Sequence, residues 1–175
     1  MNPQSRTSLG RVRSPTQPGL VVPTADDAPL VASWSRSADE ARRWCSTVEH
    51  PFDPDRVRRW WNDDDVRPWL LVEDTAPVAY GEVWVDHDED EGEIARVLVD
   101  PAARGRGVGR ALATLLVADA RDQGLAACFV RVIPDNGAAL AAYRSAGFVD
   151  VDPARTAEWN APQPVPYVWL EHLGD

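Results

Sequence analysis

The stretch EIARVLVDPAARGRGVGRALATLLVADARDQG, from Glu93 to Gly124, decides the fold of this chain. It opens with an apolar run of strand length, Ile94 to Val99, and the Asp-Pro pair that follows ends the run because proline cannot donate to a strand ladder. Three glycines then come within five residues, before a long amphipathic segment that Gly124 can end. The stretch predicts a strand, a glycine-rich turn and a helix whose N-terminal amides and dipole suit a phosphate group.

The glycine spacing distinguishes this turn from two common phosphate-binding motifs. A dinucleotide fingerprint requires G-x-G-x-x-G, and Arg110 stands where its last glycine should be. A P-loop requires Gly-Lys-Ser/Thr, and the chain contains no lysine. The remaining pattern is R-x-x-G-x-G, from Arg104 to Gly109. A glycine-rich turn beside surface arginines is the alternative interpretation of these six residues.

Length and charge limit the classes of protein to which the chain can belong. Its 175 residues predict one domain, which we place at residues 19–175, after a Ser-, Pro- and Arg-rich arm, Met1 to Pro18, that we expect to be disordered. The formal net charge of −10 argues against a nucleic-acid partner and is compatible with a cationic substrate. No segment predicts a membrane span or a signal peptide, so we expect a cytoplasmic protein.

The rest of the chain alternates strand and helix patterns around the central stretch. Helices are predicted from near Ala25, after Ser37 and after Asp53, and again over Ala138 to Ser145. Strands are predicted over residues 68–73, 78–86, 125–133, 148–151 and 165–171. We expect a proline-rich loop, Asp152 to Pro164, between the last two strands.

A second motif lies downstream of the first. Asn136 to Phe148 reads NGAALAAYRSAGF, which fits N-x(6)-Y-x(3)-G-F. Together with the R-x-x-G-x-G turn, it resembles motifs A and B of the GCN5-related N-acetyltransferases (GNAT). The resemblance implies an α/β fold, with a mixed sheet of six or seven strands flanked by helices. It also implies that two central parallel strands, Glu93–Val99 and Leu125–Ile133, splay apart and hold the pantetheine arm of acetyl-CoA between them.

The resemblance implies a set of residues for acetyl-CoA. The Leu98 amide matches the family position that polarises the thioester carbonyl, and the arginines of the turn could bond to phosphate. Asn136 would support the pantetheine side of the pocket. The residues assigned to the cofactor are Val97, Leu98, Val99, Arg104, Gly105, Arg106, Gly107, Val108, Gly109, Arg110, Asn136 and Tyr143.

The resemblance also implies the catalytic groups. Tyr143 stands where the family commonly places the general acid that protonates the departing thiolate, with packing on the sheet as the alternative for this phenol. Glu93 matches family members that use a strand glutamate as base, and Glu82 is the second candidate. Strand alternation would let one of the two carboxylates point into the cleft. The alternative for each residue is a solvated glutamate on an antiparallel strand, without a catalytic role. His87 could serve instead from its acidic hairpin tip.

The predicted reaction is acetyl transfer from acetyl-CoA to a primary amine by direct attack, with CoA as product. The acceptor would be a small cationic or aromatic molecule, because aromatic rings beside carboxylates suit an organic cation. We assign Trp34, Trp60, Trp84 and Tyr167 to the acceptor site, with core packing as the alternative for each. Protein or peptide acetylation and a non-catalytic acyl-CoA-binding regulator remain alternatives. We predict no metal site, and a monomer or homodimer.

Overall fold

A computed structural model describes residues 18–173, so the predicted N-terminal arm, apart from Pro18, lies outside the described residues. Seven strands form one mixed sheet in the order β1-β2-β3-β4-β5-β7-β6. Their bounds are β1 Gly19–Val21, β2 Val66–Glu73, β3 Ala76–Asp86, β4 Glu91–Val99, β5 Ala127–Val132, β6 Val149–Asp150 and β7 Val168–Leu173. The predicted fold class, a mixed sheet flanked by helices, is confirmed.

The two central strands separate after a short parallel contact. β4 pairs with β5 only from Glu91 to Glu93, opposite Ala127 to Phe129, whereas β4 stays paired with β3 as far as Val99. β5 turns instead to β7, with which it pairs antiparallel along its whole length. The sheet therefore consists of two antiparallel halves that meet at three residue pairs and diverge beyond them, as the resemblance predicted.

Helices cover both faces of the sheet. Neighbouring residues of β2, Leu70 and Leu71, belong to different hydrophobic clusters, as expected for side chains that alternate between two buried faces. The first three helices cover one face with the aromatic cluster around Trp44, and the fourth and fifth cover the other. The helices are α1 Ala28–Ser33, α2 Ala38–Cys45, α3 Pro54–Trp60, α4 Val108–Asp122, α5 Gly137–Ser145 and α6 Pro153–Asn160.

A β-bulge interrupts the pairing of β3 with β4. Tyr80 pairs with Leu98 and Glu82 with Ala95, so two residues of β4 stand opposite Gly81 alone. Arg96, the first of those two, has a positive φ of 46°. A bulge re-aims side chains near functional sites, and here the Arg96 side chain turns onto the face that carries Glu82.

The prediction of a proline-rich loop between β6 and β7 is wrong. This segment contains the helix α6, residues Pro153–Asn160. The Asp152 carboxylate accepts the amides of Ala154 and Arg155, and Pro153 occupies the first helical turn. Asp followed by Pro is a good helix start. The sequence carried that signal, but the later prolines at 162, 164 and 166 favoured a loop.

Candidate active site

A cavity of about 860 Å³ occupies the gap that opens where β4 and β5 diverge. The end of β4, the N-terminus of α4, β5 and α5 border one part of it, and the end of α2 with residues 163–167 borders the other. A pocket of this size can hold a cofactor arm together with a small second molecule.

The glycine-rich turn forms an open anion site at one end of the cavity. Gly105 and Gly107 have φ values of 77° and 81°, in the left-handed region that favours glycine, and Gly107 is the N-cap of α4. The amides from Gly105 to Arg110 donate to no acceptor among residues 18–173. Free amides at a positive helix end are a binding site for phosphate.

The three arginines of the turn point in different directions. Arg104 borders the cavity, where its Nη1 lies 2.9 Å from Glu40 Oε1, and this contact is the largest cause of a lowered pKa for Glu40. Arg106 instead makes an ion pair of 2.9 Å with Glu73 and does not border the cavity. Arg110 borders the cavity and is exposed. The geometry therefore brings Arg104 and Arg110, but not Arg106, to the predicted phosphate position.

Tyr143 lies on α5 against the middle of the cavity. Its side chain packs edge-on to Phe148 with the ring centroids 5.5 Å apart, yet the residue borders the cavity. Burial, and secondly the negative charge of Glu93, raise the pKa of this phenol well above its usual range. The phenol therefore carries its proton at neutral pH, which a general acid requires. Asn136 also borders the cavity, and its side chain caps α5 through the Ala139 amide.

Glu93 is the carboxylate that faces the cavity at the divergence point. Its Oε1 lies 2.9 Å from Arg131 Nε, and the side chain is 22% exposed. Burial raises the pKa of Glu93, and the charges of Arg131 and Arg96 oppose that rise. A partly desolvated carboxylate with a raised pKa is a better proton acceptor than one in water.

Glu82 is enclosed beneath the cavity and does not border it. The residue is 0% exposed, and its carboxylate accepts hydrogen bonds from the Tyr80 hydroxyl, the Trp84 indole and Arg96 Nη1. Burial raises the pKa of Glu82, and the Arg96 charge opposes the rise. The strand register puts both glutamates on the same face of the sheet, so strand alternation does not explain why only Glu93 borders the cavity. Glu82 is enclosed because Trp84 and Arg96 lie over its carboxylate.

The four aromatic residues assigned to an acceptor divide into two pairs. Trp84 and Tyr167 border the cavity, and the Tyr167 hydroxyl lies 3.1 Å from Ser46 Oγ at the end of α2. Trp34 is 3% exposed in the core beneath α1. Trp60 packs on the Arg96 guanidinium, whose carbon lies 3.9 Å from the ring centroid, and does not border the cavity. The structure therefore brings two of the four rings to the cavity.

Two arginines of the site were missed in the sequence. Arg96 lies in the bulge, and its carbonyl accepts a 2.7 Å hydrogen bond from the Trp44 indole of α2. Arg131 pairs with Glu93 from the facing strand. Each interrupts an apolar strand pattern, IARVLV and CFVRVI, and a charge in a buried strand is a signal because charges are buried only with partners.

Residues 18–173 show neither a metal-binding cluster nor a membrane-spanning helix. No group of three or more His, Cys, Asp or Glu residues in that range could hold a metal ion. None of the helices described there is long and apolar enough to cross a membrane.

Solved structures with the same fold include two acetyltransferases. One is aminoglycoside acetyltransferase AAC(6')-Ib in complex with coenzyme A and kanamycin, with a TM-score of 0.69, 17% identity, and coverage of 90% of this chain and 95% of that chain. Another is the spermidine N-acetyltransferase of Vibrio cholerae in complex with CoA and spermine, with a TM-score of 0.66, 17% identity, and coverage of 78% and 83%. At these identities the likeness concerns the fold.

Curated relatives and a family model give the classification. A mycothiol acetyltransferase of Nocardia farcinica is 29% identical over 160 residues, which is 83% of this chain and 51% of the relative. Another, of Thermomonospora curvata, is 30% identical over 152 residues, 80% of this chain and 51% of the relative. The chain thus spans about half the length of these relatives. The model of the acetyltransferase (GNAT) family matches residues 34–148, more than half of the chain. The chain therefore belongs to the GNAT family, as its two motifs predicted.

Proposed function

We propose that this protein is an acetyl-CoA-dependent N-acetyltransferase that acetylates the primary amine of a small molecule by direct attack in a ternary complex. One observation carries the proposal: a single cavity joins the open anion site of the glycine-rich turn to Glu93 and Tyr143. The diphosphate of acetyl-CoA would bind the turn, and the pantetheine arm would run along the unpaired edge of β4. The thioester would then lie between the carboxylate and the phenol.

The site residues divide the reaction among them. Glu93 accepts a proton from the bound ammonium, which leaves the free amine as nucleophile. The amine nitrogen bonds to the thioester carbon, and the Leu98 amide stabilises the oxyanion. The carbon–sulfur bond then breaks, Tyr143 protonates the thiolate, and the second proton of the nitrogen restores the phenol. Glu93 returns its proton to solvent, so the products are the amide, CoA and one proton.

The test combines acetyl-CoA binding with turnover. Acetyl-CoA is titrated onto the protein by calorimetry, and CoA thiol release is followed with polyamines, aminoglycosides, amino acids, aryl amines and short peptides. We expect binding, and release that depends on one class of amine. The absence of acetyl-CoA binding would overturn the proposal, and binding without release on any amine would favour a non-catalytic regulator.

Gly107→Ala should weaken acetyl-CoA binding about fivefold. A Cβ at a φ of 81° is strained by about 1 kcal/mol, and relief of that strain would move the amides away from the phosphate. Gly137→Ala is the matched control, because its added Cβ would meet no atom within 4 Å and its φ is not positive. The measurement is the Kd for acetyl-CoA, and equal values for the two variants would contradict the assigned phosphate turn.

Glu40→Gln should strengthen acetyl-CoA binding by up to about fivefold. The change keeps the size and shape of the side chain but removes its charge. It therefore releases Arg104 from a partly exposed ion pair, which is worth at most about 1 kcal/mol. Glu73→Gln is the control, because it releases Arg106, which does not border the cavity. If Glu73→Gln alone tightened binding in calorimetry, Arg106 and not Arg104 would hold the phosphate.

The decrease of kcat/KM at low pH should reflect protonation of Glu93. The active form of the base is the carboxylate, so kcat/KM should fall as pH is lowered through a pKa that burial raises above the ordinary value of 4.5. In Glu93→Gln the residual activity should lack that limb. His87→Gln is the control for the alternative base, since that side chain is 74% exposed near Asp65. A limb that survives in Glu93→Gln and disappears in His87→Gln would assign the base to His87.

A further inference from the structure

We propose that the acceptor is an α-amino acid, whose carboxylate is bound by Arg131 while its amino group is held by Glu93. The inference rests on the proposed N-acetyltransferase function and names its substrate class. It starts from the acceptor end of the cavity, which we define as the part bordered by Trp84, Glu93, Arg96, Arg131 and Tyr167.

Arg131 has N–H donors that can bind a ligand. Its Nε lies 2.9 Å from Glu93 Oε1, and its Nη1 donates to Gln163 Oε1 at 3.4 Å. A guanidinium carries five N–H groups, and Nη2 of Arg131 has no acceptor among residues 18–173. The side chain is 28% exposed and borders the cavity. A partly desolvated guanidinium with free N–H groups is a binding site for a carboxylate.

The charges at the acceptor end do not suit a polycation. Glu93 is the single carboxylate that borders this end among the described residues, and two guanidinium groups, Arg96 and Arg131, border it as well. The carboxylate partner of Arg96, Glu82, is completely enclosed and cannot reach a ligand. A polyamine or an aminoglycoside needs several facing carboxylates, so the geometry does not fit the cationic acceptor with which the net charge of the chain is compatible.

The Glu93–Arg131 pair is the electrostatic complement of an α-amino acid. In the protein, a carboxylate and a guanidinium lie side by side, 2.9 Å apart. In the ligand, an ammonium and a carboxylate are joined through one carbon atom. When the ligand binds, each protein charge exchanges its neighbour for a ligand charge of opposite sign, so no charge is buried without a partner. A simple amine would instead compete with Arg131 for Glu93.

This exchange of charge partners also places Glu93 beside the amino group that reacts. Once the ligand is bound, Glu93 faces the ammonium whose proton it must accept, in place of the Arg131 cation that lowers its pKa. Glu93 then takes one proton from the ammonium, and acetyl transfer proceeds as described above. The rings of Trp84, Tyr167 and Trp169 each lie 5.7 Å from the Arg131 guanidinium carbon and fix its orientation.

The experiment compares matched acceptors. Initial rates of CoA release are measured with the twenty L-amino acids, and each active one is compared with its carboxamide and its decarboxylated amine. Spermidine and kanamycin serve as cationic acceptors. We expect kcat/KM for the best amino acid to exceed that of its amide by about 10- to 100-fold, the usual range for one charge-assisted contact. Arg131→Gln should reduce this ratio to about threefold or less, whereas Arg144→Gln, at an exposed arginine that pairs with Asp150 outside the cavity, should leave it unchanged.

The outcomes separate the two proposals. Acetyl-CoA titration of each variant shows that the fold and the cofactor site are intact, and its failure in the parent protein overturns the proposed function. If acetyl-CoA binds but no amino acid exceeds its amide tenfold, the substrate class is wrong and the proposed function stands. The same holds if Arg131→Gln keeps the ratio, or if spermidine or kanamycin is the better acceptor.

Discussion

Tyr143→Phe is expected to lower kcat about 100-fold while the Kd for acetyl-CoA changes less than about threefold. The variant keeps the ring that packs on Phe148 and removes only the hydroxyl of this residue, which borders the cavity. That hydroxyl acts when the thiolate departs, so its loss raises the barrier without weakening ground-state binding. Steady-state kinetics with calorimetry on the same preparation measure both quantities.

The pKa of the phenol adds a second expectation. Because burial and the charge of Glu93 raise the pKa of Tyr143, the hydroxyl keeps its proton through the neutral and mildly alkaline range. The parent protein should therefore show no loss of kcat from deprotonation of Tyr143 below pH of about 10. Tyr167→Phe is the matched control, a cavity phenol that pairs with Ser46, and its kcat should change only a few-fold. Unchanged kcat in Tyr143→Phe would make Tyr143 a packing residue.

Glu82→Leu is expected to lower the free energy of unfolding by about 3 kcal/mol or more. The change leaves the Arg96 guanidinium without its carboxylate and leaves the Tyr80 hydroxyl and the Trp84 indole without their acceptor. An uncompensated charge in a low-dielectric site costs more than the ion pair contributed. In a protein of this length, the loss corresponds to a fall in Tm of roughly 10 °C. Urea and thermal unfolding measure both values.

Two variants test the cause of that loss. Glu73→Leu breaks a comparable ion pair, with Arg106, that is partly exposed, and should cost less than about 1 kcal/mol. Adding Arg96→Met to Glu82→Leu should recover much of the stability, because it removes the unpaired charge and leaves an apolar side chain between Trp60 and Trp84. If the double variant were less stable than Glu82→Leu, packing and not charge would explain the loss.

The sequence predicted the elements of the fold well where the signal is local. Ser37 and Asp53 cap the helices that were predicted after them, and the Ala138–Ser145 prediction differs from α5 by one residue. Helix caps and glycine turns are decided by the residues that form them, so they can be read without knowledge of the partners. Helix α6 was missed although Asp152 and Pro153 carry the same type of signal as Asp53 and Pro54.

The candidate site was predicted less completely, because its charges are paired across elements. The sequence indicated Glu93 as the first candidate base and Glu82 as the second, and the structure encloses Glu82 while leaving Glu93 at the cavity. The strand register alone does not show which glutamate borders the cavity, since both lie on the same face of the sheet. The bulge at Arg96, which moves a guanidinium over Glu82, depends on the pairing of two strands and leaves no local signal.

By itself, the sequence determined the family, the order of the central elements and the glycine-rich turn that we propose for phosphate, because the φ values at Gly105 and Gly107 and the free helix amides are local properties. Only the tertiary structure decided which charges face the cavity. Burial and ion pairing depend on atoms from distant segments, as when Arg131 of β5 meets Glu93 of β4 or Arg104 meets Glu40 of α2. The proposed acceptor therefore depends on contacts between strands, whereas the proposed phosphate turn lies within one continuous stretch.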